Sequence, residues 1–301
     1  MAQIIEMPTT PNFVKSEFRL KRFIGQTTSA YTAKQRTQEY DAVFWEASVA
    51  LPPMRRDLAV NWQSFLLNLN GTTNTFKFAD PDALVKRGTY TGAQFKAEAR
   101  VNETSITLSF TASTNTITGG SAFTGNLKVG DHIVVTGSSK AANNGTHKIV
   151  TIPNTTSVTV TPVQFESLVD ESNKAGCTVR VNTKGARGLT LRSTANGHAG
   201  TILKGDYLGI SSDTSDAPTT YKPLQYVIAT EDAVETNNGG SALNQYAIKT
   251  EPKLRAALAA NSRVYVTPAK GLFRLVMNDV SWSADNISNY GIAFDCVEVI
   301  Q

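Results

Sequence analysis

Phe44-Trp45-Glu46-Ala47-Ser48-Val49-Ala50-Leu51-Pro52-Pro53-Met54 is the stretch on which the fold turns. Val43, Trp45, Ala47, Val49 and Leu51 occupy every second position of Tyr40 to Leu51, the period of a strand with one buried face. Pro52-Pro53 stops that strand, because neither residue can donate to a ladder. Beyond it the period changes. Met54, Leu58, Trp62, Phe65, Leu66 and Leu69 recur at steps of three and four, which predicts an amphipathic helix over 54–70. Gly71 stands where a left-handed C-terminal cap belongs. No other segment has so clear a helical stripe, and this one is expected to cover one face of a sheet.

Working outward, Asn12 to Phe23 alternates imperfectly, and Gly25 to Thr37 reads as a polar loop. Thr75 to Phe78 reads as a short strand ending in the turn Asp80-Pro81-Asp82. Residues 83–101 are ambiguous, with Tyr90, Phe95, Ala97, Ala99 and Val101 spaced like another strand. From about Asn102 to Asn182 aromatics almost vanish and Thr dominates. Short β runs recur there (Ser105 to Phe110, His132 to Thr136, His147 to Ile152, Ser157 to Pro162, Cys177 to Val181), separated by turn signals such as Asn143-Asn144-Gly145. Their spacing predicts a small barrel or sandwich inserted at 102–182. Residues 1–101 and 183–301 would then form one discontinuous β domain. The later segment holds longer strands, and Glu251 to Ala260 reads as one helical turn or two. Leu127-Lys128-Val129-Gly130-Asp131 echoes Leu203-Lys204-Gly205-Asp206, each a Gly-Asp turn feeding an apolar strand. Such turns arise easily by chance, so they read as similar local chemistry and not as a duplication.

Composition narrows the function classes. Of 301 residues 41% are hydrophobic and 18% charged, enough apolar material for one or two packed cores. Thr alone makes up about 12%, well above ordinary usage. No run approaches the length of a membrane span, and Met1 to Lys15 lacks a secretory pattern. Cys177 and Cys296 lie too far apart in sequence to suggest a metal or disulfide framework. Twenty-nine basic against 25 acidic residues give +4, in small clusters (Lys15 to Arg22, Arg55-Arg56, Lys86-Arg87) and not in a stripe. Specific nucleic-acid binding is not expected from that pattern.

The residues for catalysis are sparse. No G-x-S-x-G elbow, Walker loop or dinucleotide fingerprint occurs. His132, His147 and His198 sit in polar surroundings and read as surface residues. The acid pairs Asp80/Asp82, Asp170/Glu171 and Glu231/Asp232 all fall in loops, where turn chemistry accounts for them. The Asp213 to Asp216 loop lacks the Ca²⁺ ligand pattern. Gly185 to Gly188 and Asn196 to Gly200 read as plain turns, since neither opens a helix. Trp45 and Trp62 lie on apolar phases and read as core, with Trp282 less certain. The reading is a non-enzyme with no catalytic, cofactor or metal-binding residues.

A resemblance carries the function. The strand Phe44 to Leu51, the helix pattern Trp62, Phe65-Leu66, Leu69, Gly71, and then Asn74, Phe76 and Asp80-Pro81 together resemble the front half of distal tail proteins of long-tailed bacteriophages (siphophages). Ile202 to Leu208, the Tyr226 to Tyr246 hairpin, Pro252-Lys253-Leu254-Arg255 and Pro268 to Leu275 are similar to the closing part of the same family. The similarity covers most of the chain except the first 35 residues. It implies a virion structural protein with a tail-tube-like β-sandwich or barrel and one flanking helix. The family forms a ring, typically a hexamer, between the tail tube and the hub or baseplate, with a lumen through which DNA passes unbound. The implied partners are further copies of the chain, the tail-tube protein and the hub protein. The implied location is the phage tail tip, after assembly in the bacterial cytoplasm. A major tail-tube protein, or a host-glycan-binding module in 102–182, are the alternatives. The apolar residues Ile4, Ile5 and Met7 make the arm Met1 to Phe13 a candidate for contacts between subunits, as is the 25–37 loop.

Overall fold

The computed structural model describes residues 3–98, 102–120, 123, 127–163, 167–195, 197–214, 223–236, 243–286 and 289–300. The fold is mainly β, with one α-helix among the described residues. In chain order, β1 (Ile4–Ile5), β2 (Lys15–Thr28), β3 (Gln35–Ala50) and β4 (Met54–Arg55) precede helix α1 (Arg56–Asn68) and β5 (Thr75–Phe78). Then come β6 (Gln94–Ala97), β7 (Asn102–Thr111), β8 (Thr116–Thr118), β9 (His132–Thr136), β10 (Gly145–Asn154), β11 (Ser157–Pro162) and β12 (Glu171–Arg180). β13 (Gly188–Ser193), β14 (Tyr207–Ser211), β15 (Pro223–Ala229), β16 (Val234–Thr236), β17 (Gln245–Glu251) and β18 (Arg263–Tyr265) follow. β19 (Gly271–Leu275), β20 (Ser283–Ala284), β21 (Asn289–Gly291) and β22 (Ala293–Glu298) complete the chain. It divides into two compact units. The first is Met1–Leu84, Lys222–Tyr226 and Ala269–Gln301; the second is Val85–Tyr221 and Val227–Pro268.

The first unit is built on a six-stranded sheet of order β1-β5-β19-β22-β3-β2. Val43, Trp45, Ala47 and Val49 of β3 are buried, as their alternation requires, and Phe44, Glu46 and Ser48 face the other way. Helix α1 covers the apolar face. Trp62 and Phe65 meet Phe294 of β22 at ring-centroid distances of 6.3 and 6.5 Å, and Phe65 meets Phe76 of β5 at 5.3 Å. Burying each such ring contributes about 1.5–3 kcal/mol. Trp62, Phe65 and Leu66 are buried on the helix as the sequence predicts; Leu69, also buried, is its C-cap, and Met54, buried too, precedes the helix in β4, where it pairs with Tyr290. Leu58 is half-exposed, and Ala59 takes the inward position beside it. Gly71 follows the helix at φ +63°, the left-handed region favoured by glycine.

Gly25 to Thr37 is not a loop. Thr28 pairs with Gln35, and the ladder runs back through Gly25 and Gln38 to Lys15 and Ala50, so β2 and β3 form one long hairpin closed by residues 29–34. Both faces of its outer half are exposed, so no hydrophobic period marks it.

In the second unit β10-β11-β8-β7-β12-β9 close into a barrel. Its core is its own: Leu108, Phe110, Ile117, Ile133, Val158, Val160 and their neighbours, all from the barrel segment, pack together buried. The other sheet has the order β13-β6-β18-β14-β15-β17-β16, and a further pairing of β13 with β17 returns it on itself, so that six strands form a second ring. Glu251 to Ala260, expected to turn helically, carries no helix. Its residues instead serve the turns beside them: Leu254 N–H donates to Ala186 O, and Leu254 O accepts from Gly185 N–H.

Candidate assembly surface

The sheet of the first unit ends in two different edges. One is β2, fourteen residues long; the other is β1, two residues paired in parallel with Thr75 and Phe76. An edge strand presents N–H and C=O groups that can add another strand. The β2–β3 hairpin exposes Phe23, Ile24, Tyr40 and, at its tip, Tyr31, which is 99% exposed. Between residues 15 and 40 lie six basic residues (Lys15, Arg19, Lys21, Arg22, Lys34, Arg36) and two acidic ones (Glu17, Glu39). That excess of four equals the net charge of the whole chain, so the mild basicity has a location.

Nearer the body, charge is balanced. Arg19 pairs with Glu17 at 2.6 Å and Lys21 with Glu46 at 2.8 Å, on the sheet face opposite the core. Lys21 Nζ also lies 6.0 Å from the Phe23 ring and 5.9 Å from that of Phe44, within cation–π range.

The N-terminal arm is seated on its own chain. Thr75 N–H donates to Gln3 O, and Trp62 Nε1 donates to Thr10 O at 3.1 Å. Phe13 packs edge-on against Trp62 at 5.5 Å and Phe78 at 5.7 Å. The arm completes the core under α1, a role its lack of period hid.

The remaining sequence candidates have structural employment. Asp80 caps the short 3-10 turn Pro81–Ala83 by accepting from Asp82 N–H. Asp170 accepts from Ala112 N–H, and Glu171 ties down Ser138, Ser139 and Asn143. Glu231 bridges Lys148 at 2.8 Å and Lys249 at 2.7 Å, and Asp232 accepts from Lys204 N–H. Gly185 has φ +84°, as a turn glycine should. Asp213 to Asp216 and Asn196 to Gly200 fall partly outside the described residues.

Two histidines depart from the surface reading. His132 and His147 are each 1% exposed, inside strands whose polar neighbours disguised them. His147 Nε2 sits 3.0 Å from Asn143 O, whereas neither ring nitrogen of His132 has a partner among the described residues. His198, half-buried, lies 3.2 Å from Thr194 Oγ1. Trp45 and Trp62 are buried and Trp282 is 40% exposed. No group of three or more His, Cys, Asp or Glu stands ready for a metal among the described residues. Among the described residues no helix is long and apolar enough to cross a membrane.

No protein-family model matches the chain, and no curated protein matches it.

Proposed function

We propose that the chain is a structural protein of a bacteriophage tail. It would form the distal tail ring, most simply a hexamer, that joins the tail tube to the hub or baseplate at the tail tip. The observation that carries this reading is the long exposed β2–β3 hairpin, whose fourteen-residue strand β2 is the last strand of its sheet. A ring needs a head-to-tail contact between two unlike surfaces of one chain. The β2 edge and hairpin on one side of the sheet, and the β1 edge on the other, supply such a pair. The front-half residues that resemble distal tail proteins build this same unit: the Phe44 to Leu51 strand, α1 and Phe76 to Pro81; of the closing-part residues, Leu272 to Leu275 lie in it and Ile202 to Leu208 and Pro252 to Arg255 lie in the second unit. The face carrying Glu17, Arg19, Lys21 and Glu46, with its signs balanced in pairs, suits a lumen through which DNA slides without being held.

Electron microscopy of the purified chain, with mass by light scattering, tests the proposal. Closed rings of about six copies with an open centre support it. A monodisperse monomer at high protein concentration sinks it. A stack of many rings favours the major tail-tube protein instead. Glycan binding that is lost with residues 102–182 would favour the adsorption-module reading.

A further inference from the structure

The two rings of strands in the second unit have one topology. Taken in chain order, the inserted barrel uses β7, β8, β9, β10, β11 and β12, with neighbours running β7-β8-β11-β10-β9-β12 and back to β7. The other ring uses β6, β13, β14, β15, β17 and β18, with neighbours running β6-β13-β17-β15-β14-β18 and back to β6. Strand for strand the two orders are the same.

The correspondence extends to single hydrogen bonds. In both rings the third strand is entered through a Gly-Asp turn, with Gly130 at φ +91° and Gly205 at φ +92°. Gly130 N–H donates to Ile149 O at 2.8 Å, and Gly205 N–H donates to Ala229 O at 2.7 Å. Those same residues donate back: Ile149 N–H to Asp131 O at 2.9 Å, and Ala229 N–H to Asp206 O at 2.8 Å. Each Asp carboxylate accepts from the N–H three residues earlier, Lys128 at 2.7 Å and Leu203 at 2.9 Å. At the end of the second strand, Gly119 N–H donates to Thr156 O and Ser193 N–H to Asn244 O, each at 2.8 Å. Chance similarity of a Gly-Asp turn explains the turn, not the shared strand order around it. The sequence echo therefore marks more than similar local chemistry.

The manner of insertion is also visible. β7 and β8 are joined tightly by Ala112 to Asn115, whereas the equivalent strands β6 and β13 are joined by the whole inserted barrel. Asn102 and Arg180, the first and last residues of that barrel, are register partners. Its two ends thus leave side by side, about 5 Å apart. Its contacts with its host include the His132 ring against Gly188, Gly130 against Val234, Thr146 Oγ1 accepting from Arg187 N–H, and the Lys148–Glu231–Lys249 bridge.

We infer that residues 102–180 are a second copy of the barrel formed by β6, β13–β15, β17 and β18, grafted into that barrel's first hairpin as a separable appendage. The copy folds on its own core, and the host folds and associates without it. Only the statement on association rests on the ring reading above.

Two full-length-derived variants test this by amide hydrogen exchange, with mass by light scattering. In one, residues 102–180 are replaced by Asn-Gly; in the other, Val158→Asp places a charge in the inserted core, where Val158 is fully buried. The expected result is that amides of β13, β14 and β17 keep protection within about tenfold of the full chain. The copy number per particle should equal that of the parent. Host protection falling further than this in both variants overturns the inference; protection kept in either one supports it. A parent chain that is itself monomeric defeats the ring reading while leaving the exchange result to decide separability.

Discussion

The Glu298 carboxylate accepts the backbone N–H of Tyr226 at 2.7 Å, and its second oxygen accepts that of Trp45 at 3.2 Å. Glu298 is 3% exposed, and Trp45 Nε1 returns a bond to Tyr226 O at 2.8 Å. A side chain here does what a neighbouring strand would do, joining β3 to the start of β15. Glu298→Ala withdraws the acceptor of two buried donors, at a cost of about 3 kcal/mol. Glu298→Gln, which keeps one amide oxygen, should cost about 1 kcal/mol. Urea denaturation of the two variants checks the order. An alanine variant as stable as the parent would show that the carboxylate is not a structural acceptor.

Gly188 is fixed by what lies over it. A Cβ at this position would stand 2.3 Å from His132 Cγ, although the backbone itself is in a region open to any residue. Gly188→Ala should therefore cost about 2 kcal/mol through overpacking alone. His132→Ala in the same chain should recover part of that loss. A double-mutant cycle on chemical denaturation measures the coupling. Additive effects would mean the two residues do not bear on each other in solution.

Acid should weaken the second unit through His132. Burial, with Lys148 adding to it and Glu231 opposing, pushes the imidazole down to about 4. The folded state thus binds this proton more weakly than the unfolded chain, where histidine titrates near 6.5. The contribution is whole above about pH 6.5 and falls as pH drops towards 4, by about 3 kcal/mol in total. Hydrogen bonds from Lys148 and then Lys249 hold the Glu231 carboxyl down at about 2, so its share is lost only at lower pH, between about 4.5 and 2. Denaturation midpoints of the parent and of His132→Leu, compared at pH 7 and pH 4, isolate the histidine. Parallel curves for the two would refute this assignment.

Which features could be read in the sequence follows from which faces are buried. Val43 to Leu51 and the helix stripe were legible because one face of each is covered, which forces a period on the apolar residues. Gly25–Thr28 and Gln35–Thr37 were not, because backbone pairing alone holds them and their side chains meet water on both faces. His132 was misread for a related reason. In β9 four consecutive residues from His132 to Val135 are buried, so the polar residue has no exposed phase to occupy. The shared barrel topology was hidden, since at the turn where the two copies correspond they share little more than Gly-Asp.

The hairpin offers the sharpest test of assembly because it can be shortened without touching the core. Ile24 and Glu39 are register partners, as are Gly25 and Gln38 just beyond them. Replacing residues 25–38 by Asn-Gly therefore closes β2 and β3 with a two-residue turn that matches the twist of the strands. The removed residues, Tyr31 among them, are exposed apart from the partly covered Gly25 and Ser29, so the thermal midpoint should move by no more than about 4 °C. On the proposed ring reading, particle mass should fall from that of the ring to that of the single chain. Because the hairpin carries an excess of basic residues, the intact ring should also loosen as salt shortens the Debye length from about 10 Å at 0.1 M to 3 Å at 1 M. Rings that survive both the shortened hairpin and high salt would place the contact between copies elsewhere on the chain.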